Sequence, residues 1–376
     1  MKVTKITLLK CNSPFKYHFH SSHSIKHQTE SIIVILQFNN GISGYGESAP
    51  RVYVTGESLS TVIQTIQNYF SNILFETEVN SVEDIENTLS LLEEECIHKN
   101  INAYNSALGA IDIALLDAFG KFRGIPFHEF LGPIEKGSIS ISLSIPFLHN
   151  TVIKELYHKF KIFEPDSLKI LLGSIENDNI ERVKLIRSLF GSQTEIRIEA
   201  NGKWSLKQAV SNIEKLKRFN ISGVEQPVAR NNIKGLQKIR TITGIPVIVD
   251  ESMCTLYDAK HLIEMGACDI INIKISKCGG VLRSKQIRDY AHSKNVLCQV
   301  GAHVGETEIL STSGKYFAMT TQDLFCFEGF SHLLFDNSWI NHIKSENGEA
   351  DPFSNNGLGV ELTNQNLKFV CSIESK

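Results

Sequence analysis

The pattern of apolar and polar positions changes once along the chain, near residue 137. Before that point, strand-like runs are followed by helical ones. MKVTKITLLK alternates apolar and polar residues in part, SIIVILQF (31–38) is a β-branched run, and NNGISGYGE supplies turn residues. Residues 1–60 therefore predict antiparallel strands. Residues 58–98 carry helical periodicity, with acidic pairs in SVEDIENTLSLLEEE. A strongly apolar helix follows in NSALGAIDIALLDAFGKF (105–122), closed by Gly124 and Pro126. Residues 1–132 thus read as an α+β unit.

Beyond it, short β-branched runs alternate with amphipathic stretches. The runs are ISISLSIPF (139–147), SLKIL (167–171), EIRIEA (195–200), GVEQPV (223–228), PVIVDE (246–251), DIINIKIS (269–276), VLCQVG (296–301) and LFCFEG (324–329). Strands alternating with helices imply parallel βαβ units, and eight of them suggest a closed barrel over residues 133–345.

Composition narrows the function classes. The 376 residues carry 38 basic and 41 acidic side chains, a net charge of −3, which gives no electrostatic case for nucleic acid or an anionic membrane. No apolar run approaches the roughly 20 residues that span a bilayer. The first residues, MKVTKITLLKCNSPF, have too short an apolar stretch for a signal peptide. The eight cysteines form no CxxC pair and several fall inside apolar strands, as expected of buried, reduced thiols. The expectation is a cytoplasmic protein.

The chemistry is carried by a spacing. Glu199, Glu225, Asp250 and Lys274 are separated by 26, 25 and 24 residues, one strand–helix unit each time, and lie late in their runs. In a barrel, equivalent strand ends meet at one mouth. Three carboxylates there repel unless some are protonated or a cation sits among them. All-oxygen ligation suits Mg²⁺, with Mn²⁺ as the alternative. Lys274 and Lys169 come from opposite sides of this arc, and a lysine of lowered pKa is a general base. A cation facing a lysine suits removal of the proton α to a carboxylate, through a metal-stabilised enediolate.

These residues resemble the enolase superfamily in its muconate-lactonizing-enzyme subgroup, over nearly the whole chain. GYGESAPRVYVTGES (44–58) looks like the substrate loop of dipeptide epimerases of the L-Ala-D/L-Glu type. ALGAIDIALLDAFGKFRGIPFHEFLG (107–132) resembles the family's linking helix. IEANGKWS (198–205), VEQPV (224–228), VDES (249–252) and INIKISKCGG (271–280) resemble barrel strands three to six. GAHVGETEIL (301–310) resembles the strand-seven region and GLGVEL (357–362) the C-terminal return. The resemblance implies a (β/α)₇β barrel, an α+β capping domain over 1–132, and a segment at 346–376 returning to the cap. It implies Mg²⁺ on Glu199, Glu225 and Asp250, Lys274 as acid/base, Glu251 and Asn201 beside the ligands, and plausibly an oligomer of identical chains.

The chain departs from the family at three places. Strand two usually ends in Lys-x-Lys; here it reads Lys169-Ile170-Leu171, and leucine cannot carry a proton. Glu199 stands where the subgroup usually has Asp. Strand eight offers only Glu328, where dipeptide epimerases usually carry Asp-x-Asp for the substrate ammonium. Arg51, Tyr53, His303 and Glu306 are further candidates for touching substrate, and His303 for replacing the missing base. His18, His20, His23 and His27 read as part of a specificity loop. Three functions stay open for a small-molecule carboxylate. One is a one-base isomerase or lyase using Lys274. Another is an epimerase in which Lys169 does the missing lysine's work. The last is a metal- and ligand-binding relative without turnover.

Overall fold

The structure is a computed structural model. It describes residues 1–20, 25–161, 165–329, 345–346, 349–350, 356–362 and 367–375. His23 lies outside the described residues.

The first unit is built on strands β1 (Val3–Cys11), β2 (Pro14–His20), β3 (Ile25–Gln28), β4 (Ser31–Phe38) and β5 (Ser43–Ser48). Helices α1 (Leu59–Thr65), α2 (Ser71–Glu76), α3 (Val82–His98) and α4 (Asn105–Arg123) follow. The stretch expected to be helical over 58–98 is thus broken, with a π-helical turn at Ile66–Phe70 and an irregular link before Ser81 caps α3. Helix α4 stops where expected, at Gly124 in the left-handed conformation (φ 72°). Every residue from Ser106 to Gly120 is buried, because α4 lies between the antiparallel sheet and the second unit.

That second unit is the barrel. After a short strand β6 (Ile139–Ser140) come β7 (Leu143–Ile145), β8 (Ser167–Leu171), β9 (Glu195–Glu199) and β10 (Ile221–Glu225). They are followed by β11 (Val247–Val249), β12 (Ile270–Ile273), β13 (Leu297–Val300) and β14 (Cys326–Phe327). Neighbours pair in sequence order from β7 to β14, with every pair parallel. A parallel bridge between Ile141 and Phe327 joins the last strand to the first, with Ser142 N–H donating to Phe327 O at 2.8 Å. All eight expected strands are present. Helices α5 (Asn150–Lys161), α6 (Glu176–Phe190), α7 (Leu206–Leu216), α8 (Ile233–Thr243), α9 (Leu256–Glu264), α10 (Val281–Ser293) and α11 (Glu308–Met319) connect them. Short strands β15 (Ser345–Glu346) and β16 (Glu349–Ala350) pair beside β6. The final strand, β17 (Leu367–Glu374), runs antiparallel to β1, so the chain does return to the cap.

Two cap carboxylates lock the units together by capping barrel helices. Glu47 of β5 accepts from Thr307 and Leu310 at the start of α11, and Asp112 of α4 accepts from Val281 and Leu282 at the start of α10. Gly280, at φ 104°, leaves the room Asp112 needs; a Cβ there would overlap its carboxyl. Among the described residues no helix is long and apolar enough to cross a membrane, and all eight cysteines are free thiols.

Candidate active site

The barrel mouth gathers the acids from consecutive strand ends. Glu199 and Glu225 are the last residues of β9 and β10 and pair in register. Asp250 lies one residue past β11 and Lys274 one residue past β12, so the strands end earlier than the apolar runs suggested. Both open tight turns, closed by Met253 N–H on Asp250 O and Cys278 N–H on Lys274 O.

Glu199, Asp250 and Glu251 each bring an oxygen within 4.8 Å of the others, and all three are buried. Burial, opposed by Lys169, pushes the Glu199 carboxyl up to about 8. Burial and the charge of Asp250 push Glu251 up to about 7. Glu251 Oε2 has no partner among the described residues. Buried carboxylates that crowd together with an unpaired oxygen fit a hard divalent cation. Asn201, at φ 47°, turns its amide to donate to Glu199 Oε1. Glu225 stands apart from this trio. Its oxygens accept from Asn272 at 2.8 Å and Gln299 at 3.0 Å, and Lys169 lies 3.2–3.3 Å away.

Lys169 is caged. Its ammonium meets Glu199 at 3.1 Å, Glu225 at 3.2 Å and Glu328 at 2.7 Å. Burial alone would lower its pKa, but the three carboxylates outweigh that and hold it well above the ordinary lysine value. Glu328 is held in turn by Arg197 at 2.9 Å. Arg197 is fully buried, and it also meets Glu195 at 2.6 Å and Ser142 at 2.5 Å. Glu328 is thus kept ionised by Lys169 and Arg197 despite its burial.

The other lysine is set differently. Lys274 makes a 2.6 Å contact with Asp250 Oδ2. Asp250 also faces a residue the sequence reading gave no role, Lys277. Lys277 Nζ donates to Asp250 Oδ1 at 2.9 Å, Asp250 O at 2.8 Å and Asn272 O at 2.8 Å. Three acceptors take its three protons, so Lys277 is a fixed cation and not a base. Burial would raise the Asp250 pKa, yet the two ammonium groups hold it well below the carboxylate range.

Strands β8 and β12 are four places apart in either direction round the barrel, so Lys169 and Lys274 stand diametrically opposed. Leu171 is two residues beyond Lys169 on the same face of β8, level with Glu199. Leu168, Ile170 and Leu172 pack into the apolar core, but Leu171 does not, although it is buried.

The cap completes the mouth. Arg51 donates to Val304 O at 2.5 Å and Pro50 O at 2.6 Å. Tyr53 is partly exposed; burial raises its phenol, tempered by the nearby charges of Arg51 and Lys274. His303 turns Nδ1 to Ala49 O at 2.9 Å, and its backbone N–H donates to Glu306 Oε1 at 2.7 Å. Burial pushes Glu306 up to about 8. Burial, Lys274 and Arg51 together hold His303 well below the usual imidazole value.

Lys277 and Arg197 were the residues missed. Arg197 shares a strand face with Glu195 and Glu199 by simple alternation, which was a readable signal. Lys277 sits in a turn, where no period applies.

Comparison with known proteins supplies the family. Residues 3–132 match the mandelate racemase/muconate lactonizing enzyme N-terminal domain, and residues 150–366 the enolase C-terminal domain-like family. The hydrophobic dipeptide epimerase of Enterococcus faecalis is 30% identical over 86% of this chain and 89% of its own. The N-succinyl-L-Arg/Lys racemase of Bacillus cereus is 26% identical over 98% and 97%. Among solved structures, the dipeptide epimerase of Cytophaga hutchinsonii complexed with Mg and D-Ala-L-Val superposes with a TM-score of 0.91 at 26% identity, covering 99% of this chain and 100% of that one. The chain therefore belongs to the enolase superfamily, in its mandelate racemase/muconate lactonizing enzyme branch, and is an enzyme of the isomerase type.

Proposed function

We propose that this isomerase is Mg²⁺-dependent and removes the proton α to the carboxylate of a small-molecule substrate with one base, Lys274. The observation that carries this reading is the asymmetry of the mouth: a lysine on one side, and Leu171 with a caged Lys169 on the other. Glu199, Asp250 and Glu251, whose oxygens converge, would hold the ion; Glu225, the third ligand implied by the family resemblance, stands beside them and accepts from Asn272 and Gln299. The ion supplies positive charge where negative charge builds on the substrate carboxylate as its α-proton leaves.

The chain's own groups divide the remaining work. Lys274 Nζ, whose pKa is raised by Asp250, Glu225 and Glu199 in the ion-free chain, would take the α-proton from one face of the substrate once those acids are neutralised by the ion. Lys277 fixes Asp250 from below, so that the Oδ2 edge stays turned toward Lys274. Lys169 stays protonated in its cage and contributes fixed positive charge. Leu171 excludes water and offers no proton to the opposite face. A proton returned by Lys274 goes back to the face it left, so the net isomerisation moves another bond, as in a cycloisomerisation, and leaves Cα uninverted.

The test is α-proton exchange in D₂O over a panel of dipeptides, N-acyl amino acids and hydroxy acids. Exchange is expected with Mg²⁺, lost on chelation and restored by re-addition. Exchange that persists unchanged in excess chelator would contradict the metal reading.

A further inference from the structure

The barrel has a second concave surface, at the end opposite the mouth. A cavity of about 360 Å³ opens where β8, β9 and β14 begin, with β6 along one side. Its volume is that of a small-molecule site. Barrels of this kind keep their chemistry at the other strand ends, so this cavity is separate from the site described above.

Its walls are of two kinds. Ile139, Leu324 and Phe325 form an apolar side, and the Phe325 ring packs on the buried Arg197 guanidinium, 5.5 Å from its centre. Lys136, Asp166, Glu195 and three serine hydroxyls form a polar side. The three charged groups differ in how far they are already met. Glu195 is taken: its Oε2 accepts from Arg197 at 2.6 Å and its Oε1 from Ser222. Asp166 Oδ2 accepts from Ser140 Oγ at 2.6 Å, a neutral donor that leaves the charge in place. Lys136 makes no ion pair with either acid among the described residues. One ammonium and one carboxylate that do not meet each other therefore line the same cavity, beside an apolar wall.

A ligand of single charge would be drawn to one of these groups and repelled by the other. A ligand that carries both charges answers both, and an apolar side chain on it would cover Leu324 and Phe325. We propose that this cavity is a second binding site, for a small zwitterion of the α-amino acid type. Its ammonium meets Asp166, its carboxylate meets Lys136 and the neighbouring serine hydroxyls, and its side chain lies on the apolar wall. The site is independent of the metal and of which residue is the base.

The experiment is a titration of the full chain in excess chelator, followed by ligand-observed NMR, so that no ion at the mouth attracts carboxylates. The probes are L-leucine and its two halves, 3-methylbutylamine and 4-methylpentanoate. Leucine is expected to bind at a single site per chain, about tenfold or more tighter than either half, since each half lacks one charged hydrogen-bonding partner. Asp166 and Lys136 are both exposed, so Asp166→Asn and Lys136→Met should leave the fold intact. Each is expected to weaken leucine about tenfold or more. Lys274→Ala, at the mouth, should leave leucine binding as it is. No leucine binding, equal binding of the halves, binding that survives both floor variants, or binding lost in Lys274→Ala would overturn the proposal. None of these results bears on the α-proton exchange expected at the mouth.

Discussion

The two sides of the barrel mouth hold the same residue type in different cages, although in the ion-free chain carboxylates raise the pKa of both lysines. On the β8 side, Lys169 is surrounded by Glu199, Glu225 and Glu328, and the next inward position is Leu171. On the β12 side, Lys274 touches one carboxylate, Asp250, and that carboxylate is already shared with Lys277. Lysine chemistry depends on what surrounds the ammonium. Three carboxylates contact Lys169, while Lys274 contacts Asp250 alone and feels Glu225 and Glu199 at longer range; an ion bound to those acids would weaken their hold on Lys274. Two opposed bases would make an inverting enzyme; under the function proposed above, one side of this mouth is equipped for proton transfer and the other is closed to it.

The sharpest way to break that contrast is to remove each lysine in turn. Lys274→Ala should lower α-proton exchange about 10²–10⁴-fold, the range for losing a general base. Lys169→Met should leave exchange detectable if Lys169 only supplies charge, as proposed. Equal losses from both, measured by NMR in D₂O, would mean that the two sides share the proton transfer.

The opposite manoeuvre is to build the missing base. Leu171→Lys places an amine on the closed side, level with Glu199, and is expected to introduce inversion at Cα where the parent gives none. Its Tm should fall, because a further ammonium enters a buried position. Chiral chromatography of the product reads the first effect and calorimetry the second.

A smaller effect concerns what holds the open side in place. Lys277→Met strips Asp250 and the Asn272 carbonyl of a buried donor and should cost roughly 3–5 kcal/mol of folding free energy, measurable by urea unfolding.

The mildest is a pH effect. Burial raises Glu199 and Glu306 to about 8, and Glu251 to about 7, so the folded protein holds protons that the unfolded chain releases near the ordinary glutamate value of 4.5. The stability these groups contribute is full below that value and is lost as pH rises toward 8. The ion-free protein should therefore lose Tm between pH 5 and 8, and Mg²⁺ should flatten the fall by binding the ionised cluster.

Much of this was readable before any coordinates. The eight barrel strands announced themselves as β-branched runs, and the spacing from Glu199 to Lys274 followed because each strand–helix unit has a similar length. The substitution at Leu171 was visible as a gap in a pattern. What the sequence hid was pairing across the barrel. Nothing local says that Glu328 pairs with Lys169 and Arg197, because those partners lie on strands 159 and 131 residues earlier. Nor could it show that Glu251, next to Asp250, falls among the oxygens that converge with Glu199. That depends on the turn after β11, where strand alternation no longer applies.

The central claim is that one face of the substrate exchanges protons and the other does not. Proton NMR in D₂O, with Mg²⁺ and an enantiopure substrate that shows exchange, tests it most directly. The account predicts deuterium at Cα with configuration retained, and no mirror-image product at long times. Deuterium accompanied by inversion would contradict it and would return a proton-transfer role to the β8 side.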